Sequence, residues 1–299
     1  MKYIIEMNDL TKEYDGMAVI DGLDLKIYPG EIFAILGLNG AGKTTTVKML
    51  LGLIHPSSGQ IKYMNNNFDE CRNEILPRIG CVLETPGFYE NLSVDKNLKL
   101  IQNIVGVHQS NNIDEVLKIL KMDAFKYEKV KNLNDAQIQK LALCRALLNS
   151  PEILILDEPM NGLDPKSVNE IRTLLIRLSK EKQVTILISS HVISEVERMA
   201  DRIGILKDGC LAEVVNRGDF YKKASDRFLL NVKDKKGVTK YLREQGYYCM
   251  ESRSGDLLVK ITENQVSDIL NLLIAQEFEI EEAYFRSLDL EDIFLELVK

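Results

Sequence analysis

The sequence has few of the residues that build metal sites or covalent cross-links. Its 299 residues include three histidines and five cysteines. The cysteines stand singly, at positions 71, 81, 144, 210 and 249. Without a Cys-x-x-Cys pair, the spacing indicates neither a zinc ribbon nor a disulfide framework. Three histidines argue against a metal site with several histidine ligands. We therefore expect a protein of a reducing compartment.

An excess of positive charge and a long apolar run are also missing. The net charge is −7, so the chain has no basic footprint for nucleic acid, and we expect no nucleic-acid partner. No apolar stretch approaches the roughly 20 residues that span a bilayer. The first residues turn acidic at Glu6 and Asp9, too early for a signal peptide. Any membrane role must then come through a partner.

A glycine-rich segment lies between two periodic ones. Residues 37–45 follow the apolar run 32–36 and precede a helical pattern at 47–51. Glycines let backbone N–H groups curl around phosphate oxygens, and a helix start adds its positive dipole end. This order predicts a P-loop that binds a nucleoside triphosphate; the alternative is a plain turn before a helix. Lys43 is expected to reach the terminal phosphates, and Thr44 to bind Mg²⁺. The residues predicted to hold the nucleotide are Gly37, Leu38, Asn39, Gly40, Ala41, Gly42, Lys43, Thr44 and Thr45.

A pair of carboxylates ends another apolar run. Residues 153–156 are continuously apolar, typical of a strand buried on both faces, and Asp157 and Glu158 follow. A helical stretch at 166–182 and a further apolar run at 184–188 predict a parallel α/β sheet. The strand then directs its end at the P-loop, which places Asp157 near Mg²⁺ and Glu158 near the attacking water. The alternative is two surface acids after a core strand.

These motifs, in this order and spacing over about residues 2–215, resemble the ATP-binding subunits of ABC transporters. The segment that contains Asp164 resembles the D-loop of that family. His191 resembles the switch histidine that contacts the γ-phosphate, although a lone histidine is usually structural. Tyr14 matches the aromatic that stacks on adenine, with a plain sheet aromatic as the alternative. The resemblance implies Glu158 and His191 as the catalytic residues.

The resemblance also implies a mechanism and partners. Two such subunits dimerise head to tail, and each ATP lies between the P-loop of one and the signature motif of the other. Closure of the pair drives an integral membrane permease, and hydrolysis of ATP to ADP and phosphate reopens it. The implied cofactors are ATP and Mg²⁺. The implied location is the cytoplasmic face of the cell membrane.

One departure from the family pattern concerns Glu84, where most relatives have glutamine. Either side chain offers an oxygen to Mg²⁺, but ionised glutamate cannot donate a hydrogen bond as glutamine does. The stretch Glu-x-Pro-x-Phe-Tyr-x-Asn-Leu at residues 84–92 resembles a glutamate variant. That variant occurs in bacterial ATPases that export bacitracin-like and lantibiotic-like peptides. We therefore expect Glu84 in the nucleotide and Mg²⁺ site.

The second departure is larger and falls on the signature motif. The family reads Leu-Ser-Gly-Gly-Gln where this chain has Leu-Asn-Asp-Ala-Gln, followed by a predicted helix at 138–148. Asp135 brings negative charge to a position that should face phosphate, at a cost of up to about 4 kcal/mol at ~4 Å. Asn and Asp are also among the best helix N-caps, and a capping Asp135 would occupy the N–H groups that phosphate needs. The residues expected to face the partner's nucleotide are Asn134, Asp135, Ala136 and Gln137.

The predicted fold class is α/β with two domains. A P-loop ATPase domain at 1–218 combines a mixed sheet core with an antiparallel β subdomain, from the alternating residues 1–30, and a helical subdomain at about 85–150. Residues 228–299 are predicted to form a small α+β domain, of which a ferredoxin-like arrangement is one form. Its last helix, at 288–298, carries an apolar stripe for core or dimer packing.

The sequence thus predicts the ATPase of a bacterial ABC exporter of antimicrobial or amphipathic peptides or of drugs. An intact P-loop beside a weak signature motif favours an asymmetric heterodimer with one competent and one impaired site. Two other functions stay open at this point. One is an ATPase of the same family that acts on a soluble machine without transport. The other is a nucleotide sensor that binds ATP and hardly hydrolyses it.

Overall fold

The computed structural model describes residues 2–83, 86–105, 112–217, 227–251 and 255–286. The chain divides into two compact units, Met1–Val214 and Val215–Lys299. The predicted join between the domains, between residues 218 and 228, falls largely outside the described residues. The two predicted domain bounds therefore stay predictions.

The first unit contains an antiparallel sheet that is buried on alternate positions. β1 (Ile5–Tyr14) pairs with β2 (Met17–Ile27) on one side and with β4 (Ser58–Tyr63) on the other. β5 (Asn66–Asn67) follows at the edge. Gly16, at φ 77°, supplies the left-handed turn between the first two strands. The predicted antiparallel β subdomain is confirmed.

The central sheet of the first unit is largely parallel. Its strands are β3 (Ile32–Leu36), β6 (Ile79–Val82), β7 (Ile153–Asp157), β8 (Thr185–Ser190), β9 (Arg202–Lys207) and β10 (Cys210–Asn216). They lie in the order β10-β9-β3-β8-β7-β6, and β9, β3, β8, β7 and β6 run parallel. β3, β7 and β8 are buried at every residue, which explains the apolar runs that make up most of each strand.

The helices of the first unit surround and extend this sheet. They are α1 (Lys43–Leu50), α2 (Arg72–Ile75), α3 (Val94–Val105), α4 (Asn112–Ile119), α5 (Asp135–Leu147), α6 (Pro165–Lys182) and α7 (Ile193–Val196). α3, α4 and α5 contact one another, as the prediction of a helical subdomain requires. No helix in the described ranges combines the length and the apolar character that crossing a membrane demands.

One apolar core fixes α1 against both sheets. It joins Ile5 of the antiparallel sheet, Val47 of α1, and Ile155 and Leu187 of the central sheet, each fully or nearly fully buried. Burial of such a side chain stabilises the fold by about 1.5–3 kcal/mol. This packing holds the start of α1 next to the ends of β3 and β8.

The second unit has its own sheet and core. Its elements are β11 (Arg227–Val232), α8 (Lys235–Glu244), β12 (Cys249–Glu251), β13 (Leu257–Val259), α9 (Val266–Ala275) and β14 (Ile280–Arg286). The strands pair antiparallel in the order β12-β13-β11-β14. This βαββαβ order confirms the ferredoxin-like arrangement. Val238, Leu242, Ile269 and Leu273 of the helices pack against the sheet. The predicted last helix, at 288–298, lies outside the described residues.

Candidate functional site

The loop at residues 37–45 joins buried β3 to α1, as predicted. Gly42 precedes the helix in a left-handed conformation, φ 102°. A Cβ at this position would lie 2.4 Å from Ile20 Cδ1 and 2.9 Å from Val19 O, so only glycine fits. Because Gly42 has no side chain, no side-chain cap occupies the first N–H groups of α1. The helix therefore begins with donors available to an anion.

Oxygen atoms surround the Lys43 ammonium. The residue is 5% exposed. Its Nζ donates to Gly37 O at 3.0 Å and to Leu38 O at 3.1 Å, and it pairs with Glu158 Oε1 at 3.3 Å. A buried ammonium is tolerated when it is paired and hydrogen-bonded in this way. Gly37 and Leu38 thus contribute carbonyl oxygens that accept hydrogen bonds from Lys43.

Glu158 links Lys43 to His191. Its second carboxylate oxygen, Oε2, lies 2.7 Å from His191 Nδ1. Glu158 follows β7 and His191 follows β8, while the P-loop follows β3. These three strands are parallel neighbours, so their carboxyl ends meet at one edge of the sheet. This edge therefore brings Glu158 into contact with both the P-loop lysine and His191.

Asp157 is the last residue of β7 and directly precedes Glu158. It is 1% exposed, and its Oδ1 accepts a hydrogen bond from Ser189 Oγ at 2.6 Å. Asp157 and Ser189 are partners in the β7–β8 register. Sequence reasoning did not single out Ser189. The signal was a pair of serines at the end of an apolar strand, because buried hydroxyl groups need partners.

A cavity of about 500 Å³ opens at this edge of the sheet. It is lined by Val19, Asn39, Gly40, Gly42, Lys43, Thr44, Thr45, Glu158, Asn161 and His191. Most of these are predicted site residues, and Val19 and Asn161 are additions to the prediction. Asn161 belongs to the D-loop segment, so that segment reaches the cavity. Ala41, also predicted, is buried in the loop beneath.

Tyr14 and Asp164 are absent from the residues that line the cavity. Tyr14 ends β1 and is 46% exposed, with Lys12 Nζ 5.0 Å from its ring centroid. The predicted metal ligand Glu84 lies outside the described residues. Of these three, Tyr14 belongs to the hairpin whose Val19 borders the cavity.

Asp164 is the N-cap of α6. Its Oδ1 accepts hydrogen bonds from the N–H groups of Lys166, at 3.0 Å, and Ser167, at 3.1 Å. Its Oδ2 accepts from Ser167 Oγ at 2.6 Å. The hydrogen bond from the Ser167 hydroxyl lowers the pKa of the Asp164 carboxyl. Both oxygens thus serve the helix start in this structure.

The signature segment opens α5 with a reciprocal cap. The helix begins at Asp135, three residues before the predicted start. Asn134 Oδ1 accepts from Gln137 N at 2.9 Å, and Gln137 Oε1 accepts from Asn134 N at 2.9 Å. Of the two candidate caps, Asn134 and not Asp135 caps the helix. Asn134 has the extended backbone that a cap requires, and Gln137 three residues on completes the capping box.

Asp135 is therefore the first helical residue, and it is exposed. Its own N–H and that of Ala136 belong to the first turn, which has no intrahelical acceptors. The Gln137 N–H is occupied by Asn134. The signature segment thus presents two backbone donors beside one carboxylate.

Comparison with known proteins agrees with this geometry. A family model described as ABC transporter matches residues 20–161, and one described as AAA domain, putative AbiEii toxin, matches residues 133–197. The bacitracin transport ATP-binding protein BcrA of Bacillus licheniformis is 46% identical, over 77% of this chain and 74% of its own. The lantibiotic transport ATP-binding protein SrtF of Streptococcus pyogenes is 36% identical, over 69% of this chain and 88% of its own.

A solved structure shows the same fold. It is the dimeric post-hydrolysis state of an ATP-binding cassette bound to ADP and phosphate, with a TM-score of 0.65 and 26% identity. The match covers 71% of this chain and 98% of that one. Sequence identity over most of both chains, the shared fold and the P-loop edge agree. The chain belongs to the family of ABC transporter ATP-binding subunits, which are ATPases coupled to transport.

Proposed function

We propose that this chain binds ATP in the P-loop cavity and hydrolyses it to power export of antimicrobial or amphipathic peptides or of drugs. One observation carries the proposal. Lys43, Glu158 and His191 form a continuous row of charge-assisted contacts, at 3.3 and 2.7 Å, on the wall of a cavity that opens at a helix start. This arrangement combines a phosphate-binding loop with a carboxylate base.

The loop and α1 would hold the phosphates. Backbone N–H groups at the start of α1 point at an anion, and Lys43 adds a positive charge. A phosphate oxygen then competes with the Gly37 and Leu38 carbonyls for the Lys43 ammonium. Tyr14, exposed on the hairpin beside Val19, offers a ring face on which adenine can stack.

The residues present fit a Mg²⁺ ion. In nucleotide sites, Mg²⁺ keeps several waters and uses one or two carboxylates together with phosphate oxygens. Thr44 lines the cavity, and Asp157 places a buried carboxylate at the end of β7, on the same edge of the sheet. Thr44, Asp157 and Glu84 are the proposed protein ligands. When bound, Mg²⁺ neutralises phosphate charge.

Glu158 would accept the proton of the attacking water. A positioned general base contributes about 10²–10⁴-fold to the rate. His191 holds one carboxylate oxygen of Glu158 and also lines the cavity, where it can face the γ-phosphate. The Lys43 contact holds the other oxygen. The two contacts fix the direction of the base.

The partners we propose are an integral membrane permease and a second ATPase subunit, at the cytoplasmic face of the membrane. The α5 start would close over the nucleotide held by the second subunit. There Asn134 is engaged in its capping box, and Asp135 adds a negative charge. This chain would thus supply a weak signature face, so we infer an asymmetric heterodimer in which one site hydrolyses slowly.

The class of cargo follows from relatives. BcrA is named for bacitracin transport, and SrtF for lantibiotic transport. We propose peptides of this kind for the complex that contains this chain. The cargo itself would be recognised by the permease.

Copurification and antibiotic tolerance test this proposal. The tagged chain should copurify from membranes with an integral partner, and cells that carry both should tolerate more bacitracin or lantibiotic. Lys43→Ala should abolish this tolerance, whereas Lys48→Ala, at an exposed lysine of the same helix, should keep it. A chain that stays free of membrane partners, with no change in tolerance, would overturn the proposal.

A second candidate is a nucleotide sensor of low turnover. The observation that favours it is the capping box at Asn134 and Gln137 together with exposed Asp135. A sensor would bind ATP tightly without a membrane partner. Its turnover would not rise when a second ATPase subunit is added.

A further inference from the structure

Two buried serines end β8 and serve different parts of the molecule. Ser189 is 0% and Ser190 1% exposed, so both hydroxyl groups need partners within the protein. Ser190 Oγ donates to Glu195 Oε2 at 2.7 Å and accepts from Val192 N at 3.0 Å, and so serves the segment after His191. Ser189 instead bonds to the Asp157 carboxylate and to the backbone N–H of Glu158, at the end of β7.

The Ser189 hydroxyl makes two bonds of opposite direction. It donates to Asp157 Oδ1 at 2.6 Å and accepts from Glu158 N at 2.9 Å. A serine hydroxyl has one proton and two lone pairs, so one group can satisfy both neighbours. The ionised carboxylate only accepts and the N–H only donates. The direction of both bonds is therefore fixed.

The bond to Glu158 supports an unusual backbone. Glu158 has φ 45°, a left-handed conformation that residues with a Cβ rarely adopt. Its N–H bond to Ser189 holds the chain in this turn directly after β7. The turn sends the Glu158 carboxylate to Lys43 and His191. Without the hydroxyl, a backbone donor and a buried carboxylate would both lose their partner.

We propose that Ser189 is a positioning residue that sets both carboxylates with one hydroxyl group. It orients Asp157 as the proposed Mg²⁺ ligand and Glu158 as the proposed base, while Ser189 itself is fully buried and is not among the residues that line the cavity. This role rests on the proposed function of those two residues. The positioning role predicts that Mg²⁺ binding and turnover depend on Ser189, whereas the affinity of the P-loop for ATP without Mg²⁺ does not.

The test compares Ser189→Ala, Ser189→Thr and a control. The control is Ser179→Ala. Ser179 lies in α6, its fully buried hydroxyl donates to Gly30 O at 2.7 Å, and it is not among the residues that line the cavity. For each full-length variant, binding of a fluorescent ATP analogue is measured in EDTA and across a Mg²⁺ titration. Thermal unfolding is measured alongside. Hydrolysis is measured in membranes that contain the chain with its partners.

We expect Ser189→Ala to raise the half-saturating Mg²⁺ concentration and to lower kcat by about 10–100-fold, as loss of a partner of a metal ligand does. Affinity in EDTA should change by less than about threefold, because the P-loop donors are untouched. Ser189→Thr should restore most of the loss. Ser179→Ala should lower only the unfolding temperature.

The results separate failure of the positioning role from failure of the proposed function. Wild-type Mg²⁺ dependence and kcat in Ser189→Ala, or losses no larger than those of Ser179→Ala, would overturn the positioning role. If Ser189→Ala does not fold, Ser189→Cys keeps a side chain of similar size with a weaker hydrogen-bonding group, and the same two losses are expected from it. Absence of ATP binding by the wild-type chain would instead contradict the proposed function. Failure of the positioning role alone leaves ATP binding by the wild-type chain intact, so the two failures can be told apart.

Discussion

Two helices in this molecule, α1 and α5, differ in whether the protein supplies acceptors for the N–H groups of their first turn. α1 follows Gly42, which has no side chain and leaves the first-turn donors without a side-chain acceptor. α5 follows Asn134, whose capping box with Gln137 satisfies two donors within the protein. Under the proposed function, both helix starts would face the phosphates of an ATP. The first is built to receive an anion, and the second is partly closed and carries Asp135.

The difference teaches that a chain can keep one half of a shared site while it weakens the other. The P-loop face has free N–H groups at the start of α1 and the contacts that join Lys43, Glu158 and His191. The signature face forms a good helix because its residues cap well, which is also why it offers fewer donors. Stability of the helix and capacity to bind phosphate compete at α5.

The largest effect is expected from Lys43→Ala, which removes the positive charge of the P-loop face. ATP affinity should fall at least ~100-fold, because a buried charge pair to phosphate is lost and Glu158 Oε1 loses its ion pair. Titration with a fluorescent ATP analogue measures this. Lys48→Ala is the matched control and should bind as the wild type does. Equal affinities for all three proteins would show that the P-loop face does not bind ATP.

The next effect separates binding from hydrolysis on the same face. Glu158→Gln should retain ATP binding and lower hydrolysis by about 10²–10⁴-fold in whichever site uses Glu158 as its base. We expect ATP binding to tighten, since neutral glutamine competes less for Lys43 than the carboxylate at 3.3 Å does. Phosphate release and nucleotide binding are measured on the same preparation. Unchanged turnover of the whole complex would mean that the base is misassigned or that this site is the impaired one.

A change to the second face should sharpen the comparison in the opposite direction. Replacing Asn134, Asp135 and Ala136 by Ser, Gly and Gly removes the charge and opens the helix start. Turnover of the complex should rise about tenfold, which corresponds to roughly 1.4 kcal/mol of the repulsion at Asp135. Asp135→Asn, which removes only the charge, is the control and should give part of the gain. A fall in turnover would show that the altered signature segment is itself required.

The capping box can be tested by stability alone. Asn134→Ala should lower the free energy of unfolding by about 1 kcal/mol, because the Gln137 N–H loses its acceptor. Asn134→Ser keeps an oxygen at this position and should be close to neutral. Urea denaturation of the purified chain gives both values. Equal stability of the alanine and serine variants would mean that the cap contributes nothing measurable.

The smallest effect concerns the start of α6, where the contribution of Asp164 to stability depends on pH. Hydrogen bonds from Ser167 depress the pKa of Asp164 below its ordinary value. The stabilisation by the ionised carboxylate is therefore complete above the unfolded-state pKa, and it is lost as pH falls through the lower folded-state pKa. Asp164→Ala should lower the unfolding temperature at neutral pH and converge with the wild type in acid. Asp164→Asn should lose the pH dependence and keep most of the cap.

Local patterns predicted much of this molecule. The buried strands at 153–157 and 185–190, the antiparallel sheet and the ferredoxin-like unit follow from hydrophobic runs, alternation and turns. The contact of the P-loop with Glu158 and His191 was foreseeable because parallel strands share one edge. Residues at strand ends are placed well by such reasoning.

What sequence reasoning missed depends on register and on single-residue choices. Ser189 meets Asp157 because β7 and β8 pair in one particular register, and no local pattern encodes that register. The sequence left the cap open between Asn134 and Asp135, and the glutamine three residues after Asn134 completes the capping box that decides it. Likewise, Pro165 directly after Asp164 marks a capped helix start.

The most direct test of the central claim is steady-state hydrolysis of Mg²⁺-ATP by the purified chain alone, measured beside its affinity for ATP. A P-loop face with free N–H groups and a partly closed signature face predict firm ATP binding and slow turnover. Turnover should then rise when a second ATPase subunit with an intact signature motif is added. Brisk turnover by the chain alone, unchanged by the second subunit, would contradict this account.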